Sequence, residues 1–176
     1  MHPVVHLAVG YLAYAGYSRW QQGEPPATGP AVVAIFGAAL PDLIDKPLDT
    51  LGVVAVGRTI GHSLLFAIPL VVLVYVLFRR RDQVVLGVAF AIGYLSHIAA
   101  DVPWHLFWGD FHELGFLLWP LTPMPEYAAV KPLGTIAGTT VTTMWLEAVI
   151  LVIGVAIWIR DGAPGVGWII RRVVDR

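Results

Sequence analysis

Two long apolar runs, residues 62 to 78 and 84 to 102, are separated only by Arg79-Arg80-Arg81-Asp82-Gln83. Five residues suffice for a turn between antiparallel neighbours, so the pair predicts a helical hairpin. Each run approaches the roughly 20 apolar residues that a bilayer core demands of a helix. Three more candidates follow at residues 3 to 18, 30 to 45 and 141 to 159, the first two interrupted by Gly, Pro or carboxylates. Gly37, Gly87, Gly93 and Gly154 along these helices read as close-packing positions. With 57% hydrophobic and 13% charged residues in 176, and a mean hydropathy of +0.74, the chain is too apolar for an ordinary soluble domain. The expectation is one all-α domain over 1–176, an integral membrane bundle of about five transmembrane helices.

Charge then orients the bundle. By the positive-inside rule the Arg79 to Arg81 turn is cytoplasmic. Threading the chain from that anchor puts eight basic residues inside (Arg19, Arg79, Arg80, Arg81, Arg160, Arg171, Arg172, Arg176) and three outside (Lys46, Arg58, Lys131). The same threading gathers His6, Asp42, Asp45, His62, His97, Asp101 and Glu147 in the extracytoplasmic leaflet of a plasma or inner membrane, which the charge rule did not require. The segment from Val102 to Thr140, with Trp104, Trp108 and Trp119, is expected at that interface, where aromatic rings prefer to sit. The first basic residue, Arg19, follows the first apolar stretch, so no cleavable signal peptide is expected. A net charge of −1 with a single short basic run argues against nucleic acid as a partner.

Ionisable side chains at membrane depth are costly and default to a function when they find partners. His97 and Asp101, four apart, share one helix face and can close on one ion. The chain has no Cys, so a metal would rely on His, Asp and Glu, the ligand set of hydrolytic zinc, manganese or magnesium sites. Against this stands a plainer reading, in which His97 bonds a backbone carbonyl and Asp101 surfaces at the interface. Asp42 and Asp45, beside Pro41, equally suit a helix ending in solvated loop. His62 opens its apolar run and His6 lies at the far-side end of the first helix. Arg58 suits a substrate anion or an interfacial lipid phosphate. Glu147, six residues into the last run, is the most expensive of the set. His2, His105 and His112 read as surface groups.

In order along the chain, His6-Leu7, Leu40-Pro41-Asp42-Leu43-Ile44-Asp45, Arg58 to Leu64, Gly93-Tyr94-Leu95-Ser96-His97 with Asp101, and Leu118-Trp119-Pro120 resemble the YdjM-like family of membrane-bound metal-dependent hydrolases. The resemblance covers roughly residues 1 to 150, and its most specific part is the Gly-Tyr-Leu-Ser-His-x-x-x-Asp block followed by Leu-Trp-Pro. That family is distantly similar to the zinc-dependent phospholipase C and single-strand nuclease helical fold. The resemblance implies a divalent metal, zinc first, held by His6, Asp42, His62, His97 and Asp101. Asp45 stands one residue beyond the family's second acid, and Lys46 stands where a histidine often follows.

The expected activity is hydrolysis of a phosphoester or lipid-linked substrate at the membrane interface. Arg58 would hold an oxyanion, and Asp45 or Glu147 would accept the proton of the attacking water. Two other readings are a non-catalytic, metal-binding membrane adaptor and an ion or proton transporter. A transport pathway should carry polar groups through the full depth, whereas these crowd one leaflet.

Overall fold

Helix α1, Pro3–Gln22, starts with proline at its first position, where no amide hydrogen is missed. It stops at Gly23, whose left-handed φ of 73° lets its N–H reach the Arg19 carbonyl. The computed structural model describes residues 1–102, 112–123 and 141–167. Among them the elements are α1, α2 (Thr28–Thr50), α3 (Leu64–Arg79), α4 (Val84–Ala100), a 3-10 helix (His112–Leu118) and α5 (Val141–Arg160), with no strand. Trp104, His105, Trp108, Lys131, Arg171, Arg172 and Arg176 lie outside the described residues. The five apolar runs thus correspond to five helices of one all-helical fold.

α2 continues through Pro41 and Pro47 to Thr50, so Asp42 and Asp45 are helical residues. Ser63 caps α3, its hydroxyl accepting from the Leu65 amide. α2 packs against both α1 and α4, α4 also meets α1 and α3, and α5 packs on α1. Glycine permits the closest approaches. A Cβ on Gly37 would stand 2.7 Å from the Phe90 carbonyl oxygen, and one on Gly93 would run into the Ala34 carbonyl, so α2 and α4 touch backbone to backbone. Gly154 lets α5 close on α1, where a Cβ would press on the Ala8 methyl at 2.7 Å. Above this contact the fully buried Tyr94 hydroxyl donates to the Gly61 carbonyl at 2.7 Å and ties the α2–α3 connection to α4.

Among the described residues no helix is long and apolar enough to cross a membrane. α3 and α4, the most apolar, have 16 and 17 residues, or about 24 and 26 Å of rise against a hydrocarbon core of about 30 Å. α2 is longer but carries Asp42, Asp45, Lys46 and Asp49. α5 side chains are described only from Met144. The outward faces are nevertheless apolar: Ile68, Val72 and Leu73 on α3 and Trp145 and Val152 on α5 are each more than half exposed.

Candidate metal centre

Two interior histidines define the site. His62, in the connection before α3, and His97, one turn before the end of α4, are both fully buried. Their Nε2 atoms are 3.0 Å apart. Asp101, the residue that ends α4, brings Oδ2 to 3.2 Å from His62 Nε2 and 3.7 Å from His97 Nε2. Around a tetrahedral zinc with ligand bonds of about 2.0–2.1 Å, neighbouring ligand atoms stand about 3.3–3.4 Å apart. The His62–His97–Asp101 triangle has that size.

Proton placement makes the convergence chemically specific. His97 Nδ1 lies 2.7 Å from the Ala38 carbonyl oxygen, which can only accept, so Nδ1 carries the hydrogen. His62 Nδ1 lies 2.7 Å from Asp45 Oδ2 and donates to that carboxylate. In the neutral rings both Nε2 atoms therefore present lone pairs, and to each other. Such a contact is relieved by a positive charge between them, a metal ion or a proton. Carboxylate–histidine and carbonyl–histidine pairs of this kind are how metal-bound imidazoles are held in the correct tautomer.

Asp45 is engaged on all sides. Besides His62, its oxygens accept from the Thr59 amide at 2.7 Å, the Thr59 hydroxyl at 3.2 Å and the Gly61 amide at 2.9 Å. The side chain is wholly buried, and one carboxylate thereby shapes the loop that presents His62. Glycine at position 61 is required there, because a Cβ would press on the Pro41 carbonyl oxygen at 2.6 Å.

His6 and Asp42 complete the wall. The His6 ring stacks on His97 with centroids 3.8 Å apart, and its Nε2 stands 3.3 Å from Asp101 Oδ1. His6 Nδ1 is buried with no hydrogen-bond partner. Asp42 Oδ1 lies 3.9 Å from His62 Nε2, while its other oxygen pairs with Lys46 Nζ at 2.8 Å. Two triads, His6–Asp42–His97 and His62–His97–Asp101, each bring three ligand atoms within 4.8 Å of one another, sharing His97. Arg58 Nη2 reaches Asp101 Oδ1 at 3.1 Å, and the Met1 amino group stands 3.3 Å from the same oxygen. Arg58, Lys46 and Asp42 are partly exposed, so the mouth of the cluster carries two cations, Arg58 paired with Asp101 and Lys46 with Asp42.

Glu147 belongs to neither triad. It binds His2, through Nδ1 at 2.6 Å and the His2 amide at 3.1 Å. His2, expected as a surface group, is thus a partner of Glu147, and nothing in its local sequence signals this. A second unsignalled neighbour is Phe116 in the 3-10 helix, fully buried, with its ring edge-on to His62 and the Arg58 guanidinium 5.8 Å above it. Ser63 Oγ donates to the Trp119 carbonyl at 2.7 Å and fixes this segment over the site.

No match was found among curated proteins or among solved structures. Residues 1–170 match a family model, a span that includes every member of the two triads from His6 to Asp101, and the chain therefore belongs to the YdjM inner membrane protein family.

Proposed function

We propose that this protein is a membrane-bound, metal-dependent hydrolase, with zinc as the preferred ion, acting on a phosphoester or lipid-linked substrate at the extracytoplasmic face of the inner membrane. The observation that carries the reading is the pair of facing Nε2 atoms of His62 and His97, closed by Asp101 into a triangle of tetrahedral-zinc dimensions. His6 and Asp42 supply the remaining ligand atoms. The family's inner-membrane description and the apolar outer faces of α3 and α5 support a bundle embedded as one domain.

When bound, a divalent ion supplies Lewis acidity toward a phosphoryl oxygen and lowers the pKa of a coordinated water to about 7. The chain's own groups do the rest. Arg58 and Lys46 at the rim attract and orient an anionic oxygen of the substrate. Asp45, with both oxygens already occupied, is a positioning residue that keeps the Nε2 lone pair of His62 aimed inward. Phe116 and the buried flank of α4 exclude water from the imidazoles. Glu147 is held by His2, next in sequence to the Met1 amino group that meets Asp101.

The test is elemental analysis of the detergent-purified protein beside a His97→Ala, Asp101→Ala double variant, followed by phosphodiesterase assays. Stoichiometric zinc or manganese that is lost in the double variant, with metal-dependent turnover lost in His97→Ala, is expected. Full activity in His97→Ala would overturn the mechanism.

A further inference from the structure

An open apolar groove of about 450 Å³ lies between α1, α2 and α5, walled by Val4, Ala8, Tyr11, Ile35, Leu151 and Trp158. A second, of about 280 Å³, shares Val4 and Leu151 with it and ends at His2 and Glu147. They adjoin at Val4 and Leu151, and together their lining residues on α5 run from Met144 to Trp158, about 21 Å at 1.5 Å per residue.

The groove leads to the metal cluster by helix register. Val32 and Ile35 line it on α2, and the stripe through Val32, Ile35, Ala39 and Asp42 keeps one face of that helix. Asp42 therefore stands about 10 Å along the axis from Ile35 and about 15 Å from Val32. On α1 the groove residues Val4, Ala8 and Tyr11 take one face and His6 the other, so the approach to the cluster runs past the start of α1, where His2 lines the groove and the Met1 amino group meets Asp101 at 3.3 Å. Almost nothing in the wall offers a hydrogen bond: the Tyr11 hydroxyl is committed to Asp161 at 2.6 Å.

Its chemistry and setting select the occupant: the wall is apolar, and the family is one of inner membrane proteins. A single hydrocarbon tail suits the length and the scarcity of polar partners, and Trp145, Val149 and Val152 on the adjoining face of α5 are at least half exposed, as lipid contact requires.

We infer that the α1–α2–α5 groove binds one acyl or prenyl tail of a lipid substrate and thereby presents its anionic head group to the His6–Asp42–His97 side of the centre. This rests on the hydrolytic reading above, and names the substrate as a lipid held by one chain. Such remote binding raises the rate when it fixes the scissile group at the reacting atoms.

The test uses the full chain in phosphatidylethanolamine–phosphatidylglycerol vesicles containing a trace phospholipid with a photoreactive diazirine in its acyl chain. After irradiation, adducts are mapped by mass spectrometry, and metal content is measured on the same samples. Several-fold more label on Leu7, Leu151 and Trp158 than on Val72 and Leu73, the equally apolar outer face of α3, is expected. Val32→Phe and Val155→Phe, at groove positions more than two-fifths exposed, should reduce groove labelling several-fold with metal content unchanged. Equal labelling of α3 and the groove, or labelling indifferent to both substitutions, overturns the tail site whatever the metal content. Groove labelling that responds to both substitutions in a metal-free protein upholds the tail site and defeats the hydrolytic reading alone.

Discussion

His62 and His97 face each other nitrogen to nitrogen across 3.0 Å, each ring turned inward by an acceptor on its outer side, Asp45 for one and the Ala38 carbonyl for the other. Neither ring can rotate to relieve the contact without giving up a buried hydrogen bond. The fold thus holds two ring nitrogens together, and the backbone contact of α2 with α4 at Gly37 and Gly93 sets the place of His97 against its acceptor, since Ala38 and His97 ride on those helices.

Asp45→Ala tests the orienting carboxylate. The change leaves the Thr59 and Gly61 amides and His62 Nδ1 without their acceptor, at about 1–3 kcal/mol for each group left buried and unpaired. Metal affinity, measured by competition with a chromogenic chelator, is expected to fall about 10- to 100-fold, the range typical for loss of a group that orients a metal ligand. Affinity equal to wild type would show that Asp45 serves the loop only.

Metal removal should be a stability event as well as a functional one. A metal at 100 times its dissociation constant contributes about 2.7 kcal/mol to the folded state. Chelation of the wild type is expected to lower the melting temperature by several degrees, and zinc should restore it. The His62→Ala, His97→Ala variant should melt at one temperature with or without chelator. A wild-type melt indifferent to chelator and zinc alike would mean that no ion bridges these rings.

Much of this arrangement was legible beforehand because helix register is a sequence property. His97 and Asp101 share a face by their four-residue spacing, and the five apolar runs fall on the five helices. Membrane spanning was less legible: runs of apolar residues measure composition, whereas α3 and α4 end after 16 and 17 residues, at the Arg79–Arg81 turn and at Asp101. Pro41 also looked like an interruption, yet α2 passes through it and keeps Asp42 and Asp45 helical. The pairing of His2 with Glu147 spans 145 positions, and Phe116 reaches His62 from a 3-10 segment. Neither leaves a local periodicity to read.

Two glycines should respond to substitution in different ways. In Gly93→Ala the added methyl meets the Ala34 carbonyl, which no side-chain change can move. A loss of about 1–3 kcal/mol is expected, as for overpacking generally, and Ala34→Gly should not restore it. In Gly10→Ala the methyl meets the Ala38 methyl, so Ala38→Gly should recover part of the loss, less about 1 kcal/mol for glycine inside a helix. Thermal melts of this double-mutant cycle measure the coupling. Rescue at Gly93 by Ala34→Gly would mean that the two helices are free to separate.

Tyr11 and Asp161 lie at the other end of the bundle, where the Tyr11 hydroxyl donates to Asp161 at 2.6 Å and Arg19 Nη2 reaches the same carboxylate at 2.6 Å. Tyr11→Phe removes a hydrogen bond to a charged, buried acceptor, worth about 1.5–3 kcal/mol. The melting temperature should fall while metal content stays at the wild-type value, since His6 is more than one helical turn away. Loss of metal together with stability would show that the α1–α5 clasp and the centre behave as one cooperative unit.

Orientation is decided by reporters at two points. Asp82 lies in the basic turn after α3, with a left-handed φ of 57°, and Pro123 follows the segment that Ser63 holds over the site through the Trp119 carbonyl. Eight of the eleven basic residues fall on the Asp82 side of the proposed topology, so fusions at Asp82 should read cytoplasmic and fusions at Pro123 extracytoplasmic. The consequence reaches the substrate: an extracytoplasmic centre meets lipids and lipid-linked intermediates of the outer leaflet. A cytoplasmic reading at Pro123, with the Asp82 fusion outside, would invert the bundle and direct the substrate search to the inner leaflet, where the Arg58 and Lys46 rim would face anionic head groups instead.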